Sequence, residues 1–249
     1  MNAMIFAAGL GSRLRPLTNE KPKALIEVAG YPLLELALKK LEHAGIKKVV
    51  INIHHHRDQM LNFLAQYPAS NMKIIVSDEK NELLDTGGGL LHARSLFDAH
   101  TPILLYNVDI VTTAPLDQFI QFHEDQQPLA SLMVKNRPTT RHLLFDEDMC
   151  LAGWQNSSSG ETIMARPVQN SFPMGFQGIH IVSPNIFDFI QDSGVFSITK
   201  SYLELAAHHH IMGYESKDDV WFDIGTPEKL RNTEEYIQNN PQVLKNIRE

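Results

Sequence analysis

The sequence predicts an α/β fold: a mostly parallel, twisted sheet flanked by helices, followed by a smaller and more irregular β-containing half. Three observations lead there. Short apolar runs alternate with helical patterns as far as Asp109, the alternation then loosens, and 43% of the 249 residues are hydrophobic, enough to fill a sizeable core. In chain order, Met4–Ala8, Lys48–Ile53, Lys73–Ser77 and Ile103–Asn107 are apolar runs of strand length. Between them, Leu33–Ala44, Asp58–Gln66 and Gly88–Phe97 carry helical patterns. Leu33, Leu36, Ala37, Leu41 and Ala44 form one apolar stripe, and Gly45 is a suitable stop. Beyond Asp109, strands are expected at Leu129–Val134, Leu143–Phe145, Gly178–Val182 and Val220–Phe222, with helices near Pro115–Glu124, Pro184–Gln191 and Pro227–Gln238. No linker, repeat or low-complexity segment interrupts the chain, so one domain over residues 1–249 is expected.

Charge and cysteine content exclude several classes. A formal charge of −7 argues against a surface that tracks nucleic acid, so any phosphate site must be local. The single cysteine, Cys150, rules out an intrachain disulfide framework and multi-cysteine zinc sites, and points to a reducing compartment. No run approaches the ~18 apolar residues of a membrane helix. Met1-Asn2-Ala3 leads directly into a strand without a signal-peptide pattern. The expectation is a soluble, cytoplasmic protein that needs neither membrane nor nucleic acid.

The loop after the first strand is too long and too basic for a connector. A dinucleotide fingerprint would place glycine where Gly9-Leu10-Gly11-Ser12-Arg13-Leu14 has Leu14, and no Walker A pattern is present. Two readings remain. One is a glycine-rich turn whose backbone amides face phosphate oxygens, with Arg13 and Lys23 adding charge; the other is an exposed basic loop.

Ala7-Ala8-Gly9-x-Gly11-x-Arg13-Leu14-x-Pro16-Leu17-Thr18, followed by Lys21-Pro22-Lys23-Ala24-Leu25, resembles the signature of sugar-1-phosphate nucleotidyltransferases. Further parts occur in order: Asp85-Thr86-Gly87-Gly88-Gly89, Asn107-Val108-Asp109, Phe176-Gln177-Gly178-Ile179 and Trp221-Phe222-Asp223-Ile224-Gly225-Thr226-Pro227. The resemblance runs from Met4 to about Tyr236 and leaves the last residues without a role. It implies a Rossmann-like, GT-A-type sheet. The nucleotide half would span about 1–110, the sugar-phosphate half about 111–240 and a tail about 241–249.

The implied reaction is attack of a sugar phosphate oxygen on the α-phosphorus of a nucleoside triphosphate, with loss of pyrophosphate. Two polyanions must be neutralised and aligned, a task for magnesium, Arg, Lys and backbone dipoles. By resemblance, Asp109 and Asp223 hold Mg2+, Gly9 and Gly11 present amides to the triphosphate, Arg13 stabilises pyrophosphate and Lys23 binds the α-phosphate region. Base and ribose would lie against Ala7, Ala8 and the Asp78–Gly89 stretch, which holds Thr86 and Gly87. The sugar phosphate would meet Gly88, Asn107, Arg141, Arg166, Phe176 and Gly178. His54–His56 and His208–His210 invite a metal reading, but adjacent side chains diverge, and a solvated loop or helix end is expected.

Two clues bear on the sugar. Where many relatives have Glu-Lys-Pro, this chain has Ala165-Arg166-Pro167, which lacks a carboxylate for sugar hydroxyls while Arg166 keeps a cation for the phosphate. The triple glycine at 87–89 is similar to the N-acetylmuramate-1-phosphate uridylyltransferase group. Arg137 and Arg141 offer partners for a lactyl carboxylate, although a solvated basic loop is the alternative. A guanylyl- or thymidylyltransferase acting on a plain hexose and a catalytically silent nucleotide sensor stay open, as does monomer or homodimer.

Overall fold

The computed structural model describes residues 1–68, 71–217 and 219–248. β1 (Asn2–Phe6) opens the chain. Its side chains alternate between faces, so that Ala3 and Ile5 enter one apolar layer and Met4 the other, all fully buried. A loop with 3₁₀ turns at Ser12–Leu14 and Lys23–Leu25 leads to a short hairpin, β2 (Glu27–Val28) and β3 (Tyr31–Pro32). Then come α1 (Leu33–His43), β4 (Lys48–Ile53), α2 (Arg57–Gln66), β5 (Lys73–Asp78), α3 (Asp85–His92) and β6 (Ile103–Asn107). The second half contains β7 (Ile110–Thr112), α4 (Leu116–Gln126), β8 (Ala130–Lys135), β9 (Arg141–Phe145), β10 (Leu151–Asn156), β11 (Glu161–Met164) and β12 (Phe172–Val182). α5 (Ile198–Leu205), β13 (Ile211–Glu215), β14 (Trp221–Asp223), α6 (Pro227–Asn239) and α7 (Pro241–Arg248) complete it.

β6, β1, β4 and β5 lie side by side in parallel, with Asn2 opposite both Lys48 and Ile103. β12 continues the sheet antiparallel to β6. Its register on β8 shifts between Phe176 and His180, and its first residues pair instead with β9. One strand therefore serves both the central sheet and the β9–β10–β11 extension, while β13 joins β8 in parallel. Helices cover both faces. Ile5, Ile51 and Tyr106 pack with Leu36, Phe119 and Ile237 on one side; Met4, Val50 and Leu105 pack with Leu90 and Tyr202 on the other. Among the described residues, no helix is long and apolar enough to cross a membrane.

The first strand begins at Asn2 and ends at Phe6, which leaves Ala7 and Ala8 on the loop. The helix expected at Gly88–Phe97 starts earlier, at Asp85, and ends at His92 before a 3₁₀ turn, while the one near Pro184–Gln191 is a 3₁₀ helix over Pro184–Asp188. β2, β3, β7, β10, β11, β13, α5 and α7 were not anticipated. All four residues of β11 are exposed, so no apolar alternation announces that strand. α7 packs on α1 and α6 with Ile247 only 2% exposed, so this helix joins the core.

Candidate active site

β1 delivers the chain to the end of the parallel strands, where a buried polar net receives it. Asn52 Oδ1 accepts from the Ala7 amide (2.7 Å), Asn52 Nδ2 donates to Glu79 Oε1 (2.7 Å), and Glu79 Oε2 accepts from the Leu84 amide (3.1 Å). Asn52 and Glu79 are each 2% exposed, so these partners replace water. A lone Asn within the apolar run Lys48–Ile53 was the available signal for this net.

The loop itself is a built structure. Gly11 lies in the left-handed region (φ 62°), and its carbonyl accepts from Thr18 Oγ1 at 2.8 Å. A Cβ there would fall 2.8 Å from Thr18 Cγ2 and 3.0 Å from Lys23 Cβ. Leu14, which replaces the third glycine of a dinucleotide fingerprint, is fully buried and anchors the turn that carries Arg13. On the open side, a Cβ at Gly9 would meet nothing within 4 Å.

Two aspartates face this loop from distant segments. Asp109 follows β6, and the β7–β14 ladder places Asp223 opposite Ile110, while the Ile224 amide donates to the Asp109 carbonyl at 2.9 Å. Lys23 Nζ donates to Asp109 Oδ2 within a pair whose side chains are 14% and 17% exposed. Their attraction is correspondingly stronger than at a surface. Lys229 Nζ donates to Asp223 Oδ2 (2.6 Å), whereas Asp223 Oδ1 is buried without a partner. A Cβ on Gly225 would lie 2.8 Å from that oxygen and 3.4 Å from Arg13 Nη2, so Arg13 reaches the same corner. The turn is braced by Tyr106, whose hydroxyl donates to the Ile110 carbonyl (3.1 Å) and whose pKa is raised by burial and by Asp109. Two aspartates whose segments are joined by the Ile224–Asp109 backbone bond, one with an orphaned buried oxygen, suit a hard cation such as magnesium, which takes one or two carboxylates together with phosphate and water. Among the described residues, no group of three or more His, Cys, Asp or Glu is placed to hold a metal by itself.

Gly9, Arg13, Lys23 and Asp109 line a cleft of about 520 Å3 that also takes in Ala8, Asn52, Leu83, Asp85, Thr86, Asn107 and Val195, and Asp223 lies next to Arg13 at Gly225. A second cavity of about 480 Å3 is lined by Arg141, His142, Leu143, Trp154, Phe176, Lys200 and Leu203, among others. At the end of β6, Asn107 touches the bulge of β12: a Cβ at Gly178 would lie 2.9 Å from Asn107 Nδ2.

The structure thus gathers Arg13, Lys23 and Asp109 around one cleft with Ala8, Gly9, Thr86 and Asn107, brings Asp223 next to Arg13, and sets Arg141 and Phe176 on the second cavity. Other expected residues lie elsewhere. The Ala7 amide is committed to Asn52. Gly87 and Gly88 both donate their amides to the Phe196 carbonyl (2.9 and 3.3 Å), and their missing side chains make room for Phe196 and Gly194 rather than for a ligand. Arg166 is turned into the β9–β10 connection, where it pairs with Asp146 and donates from Nε to the Leu151 carbonyl (3.0 Å). Burial pushes the Asp146 pKa up, but Arg166 and the amides of Cys150 and Asp148 outweigh it and hold it below the usual carboxylate range. Ala165, whose amide bonds the Ala152 carbonyl, Arg166 and Pro167 line neither cavity, so the sugar argument drawn from that triplet loses its footing. His54 is tied to the Glu79 carbonyl (2.8 Å), and His208 and His210 are exposed at the end of α5. Lys229, Asn52, Glu79 and the 194–196 loop were missed.

A protein of Caulobacter vibrioides, N-acetylmuramate alpha-1-phosphate uridylyltransferase, is 32% identical over 232 residues, covering 91% of this chain and 92% of that protein. One of the same name from Neisseria meningitidis serogroup B is 31% identical, covering 94% of this chain and 97% of that one. Among solved structures, a putative glucose-1-phosphate thymidylyltransferase from Bacillus anthracis superimposes with a TM-score of 0.78 at 17% identity, over 96% of both chains, which speaks for the shared fold. The model of the nucleotidyl transferase family matches residues 2–240, and with the glycine turn, its two cations and Asp109 in one cleft, the chain belongs to that family.

Proposed function

We propose that the chain transfers a uridylyl group from UTP to N-acetylmuramate 1-phosphate, or a related hexosamine 1-phosphate, and releases pyrophosphate in the cytoplasm. The observation that carries the reaction type is the convergence of Lys23, Arg13, Asp109 and Asp223 at one end of the parallel strands. The sugar phosphate oxygen forms a bond to the α-phosphorus as the bond to the β-phosphate oxygen breaks, so no covalent enzyme intermediate is needed. Lys23 sits at the α-phosphate, Arg13 takes charge developing on pyrophosphate, and amides of the Gly9–Gly11 turn orient the triphosphate. Held by Asp109 and Asp223, magnesium would supply further neutralisation of phosphate oxygens.

Substrate choice rests on the second cavity and on the two relatives named above. Leu143, Trp154, Phe176 and Leu203 give it apolar walls suited to acyl and ether substituents. Arg141 is a cation there without an ion pair among the described residues, available to a lactyl carboxylate. Nucleoside triphosphates crossed against sugar 1-phosphates, read by pyrophosphate release, test the reading. UTP with N-acetylmuramate 1-phosphate should give the highest kcat/KM, EDTA should abolish turnover, and Asp109→Asn or Asp223→Asn should lower it by orders of magnitude with the fold intact. A preference for GTP with mannose 1-phosphate would reassign the substrates, and full turnover in EDTA would remove the metal.

A further inference from the structure

Lys135 ends β8 and Arg141 starts β9; Arg137 lies on the loop between them, and packing holds it tightly. Its Cζ sits 4.2 Å from the centroid of the Trp221 ring, and Nη2 donates to the Phe176 carbonyl at 2.8 Å. A Cβ on Gly175 would come within 2.9 Å of its Cγ and Nε. Its remaining donors are poorly served: Nε is buried without a partner, and Nη1 has only the Pro138 carbonyl at 3.5 Å. Lys23, Lys135, Lys229 and Arg166 each have a carboxylate, but among the described residues Arg137 forms no ion pair. Burial lowers its pKa, and Asp223 is the charge that acts against the lowering. A desolvated guanidinium with spare donors is costly unless an anion completes it.

Its neighbours say where that anion lies. Trp221 stands two residues before Asp223 in β14, and Phe176 lines the second cavity. Arg137 therefore links the strand whose Phe176 lines the second cavity to the strand that ends at Asp223, and a sugar in that cavity would extend its phosphate toward Asp223. We propose that Arg137 binds the phosphate of the acceptor sugar 1-phosphate, leaving Arg141 for groups on the sugar. This rests on the reading of the reaction as transfer to a sugar 1-phosphate, not on which sugar it is.

The test uses Arg137→Met and Arg137→Lys in the full chain, with whichever sugar 1-phosphates the wild type turns over. The Met variant should raise KM for the acceptor by about tenfold or more and lower kcat, with KM for the nucleoside triphosphate held within about twofold. The Lys variant should recover part of the loss, and it carries the test if the Met variant fails to fold. The loss should be equal for acceptors with and without a carboxylate. A loss confined to carboxylate-bearing acceptors would transfer Arg137 to the sugar substituent and overturn the proposal. Unchanged kinetics, or equal losses for both substrates alongside a lower Tm, would do so as well. If the wild type prefers a plain hexose 1-phosphate, the muramate reading fails while this comparison stands. If it uses no sugar 1-phosphate, both fall.

Discussion

Glycines 88 and 9 make opposite demands, and alanine at each separates packing from ligand approach. A Cβ at Gly88 would lie 2.1 Å from the Gly194 carbonyl oxygen and 3.1 Å from Leu84 Cβ, where ordinary contact begins near 3.4 Å. The 194–196 loop must retreat by the difference, 3.4 less 2.1 or about 1.3 Å, stretching the bonds from the Gly87 and Gly88 amides to Phe196. Overpacking costs about 1–3 kcal/mol and a weakened buried hydrogen bond about 1, against a gain of up to about 1 from helix propensity. Gly88→Ala is therefore expected to lose about 1–3 kcal/mol, or roughly 2–12 °C in Tm at this chain length. Because Val195 lines the cleft, KM for the nucleotide should rise as the loop moves. Gly9→Ala places its methyl where no protein atom lies within 4 Å. Its Tm should stay within about 1 °C, while kcat/KM falls about tenfold or more as the methyl obstructs a phosphate. Calorimetry and steady-state kinetics on both variants decide it. A stable Gly88→Ala with normal kinetics, or a kinetically silent Gly9→Ala, would refute the assignment of one glycine to packing and the other to ligand.

Arg166→Ala should lower stability by about 1–3 kcal/mol through loss of the Asp146 pair and of the bonds to backbone carbonyls, with acceptor KM unchanged; a specific rise in that KM would return Arg166 to the phosphate. His123, bonded to Ser131 (2.9 Å), and His180, bonded to Tyr202 (2.5 Å), are buried neutral, their pKa values pushed down by burial to about 4 and about 3. The unfolded chain binds these protons near pH 6.5 and the folded chain does not. Their stabilisation is thus fully present above pH 6.5 and declines as pH falls toward 4, by up to about 1.4 kcal/mol per pH unit for each histidine. Urea unfolding between pH 7 and pH 5 should show the decline, and a flat profile would mean that neither histidine is held neutral.

The parts of the site legible in the sequence are those whose chemistry is contiguous. Gly9, Gly11, Arg13 and Lys23 lie on one loop, and a run of backbone amides and cations needs no distant partner to be recognised. The parallel half of the sheet was legible for the same reason, since each strand buried on both faces is a short apolar run. Asp109 and Asp223 were legible singly as residues at strand ends, but their adjacency depends on the ladder that sets Asp223 opposite Ile110. A glycine or an arginine announces a requirement without naming what meets it. Gly87 and Gly88 signalled a close approach, and the approaching group is a loop more than a hundred residues later in the chain. Arg166 signalled a need for an anion that Asp146 meets, whereas Arg137, just as basic in sequence, is held half-buried against Trp221 and Gly175 without an ion pair among the described residues. Which of two arginines serves substrate is therefore decided by where carboxylates fall in the folded chain, and acceptor kinetics in the two variants should diverge accordingly.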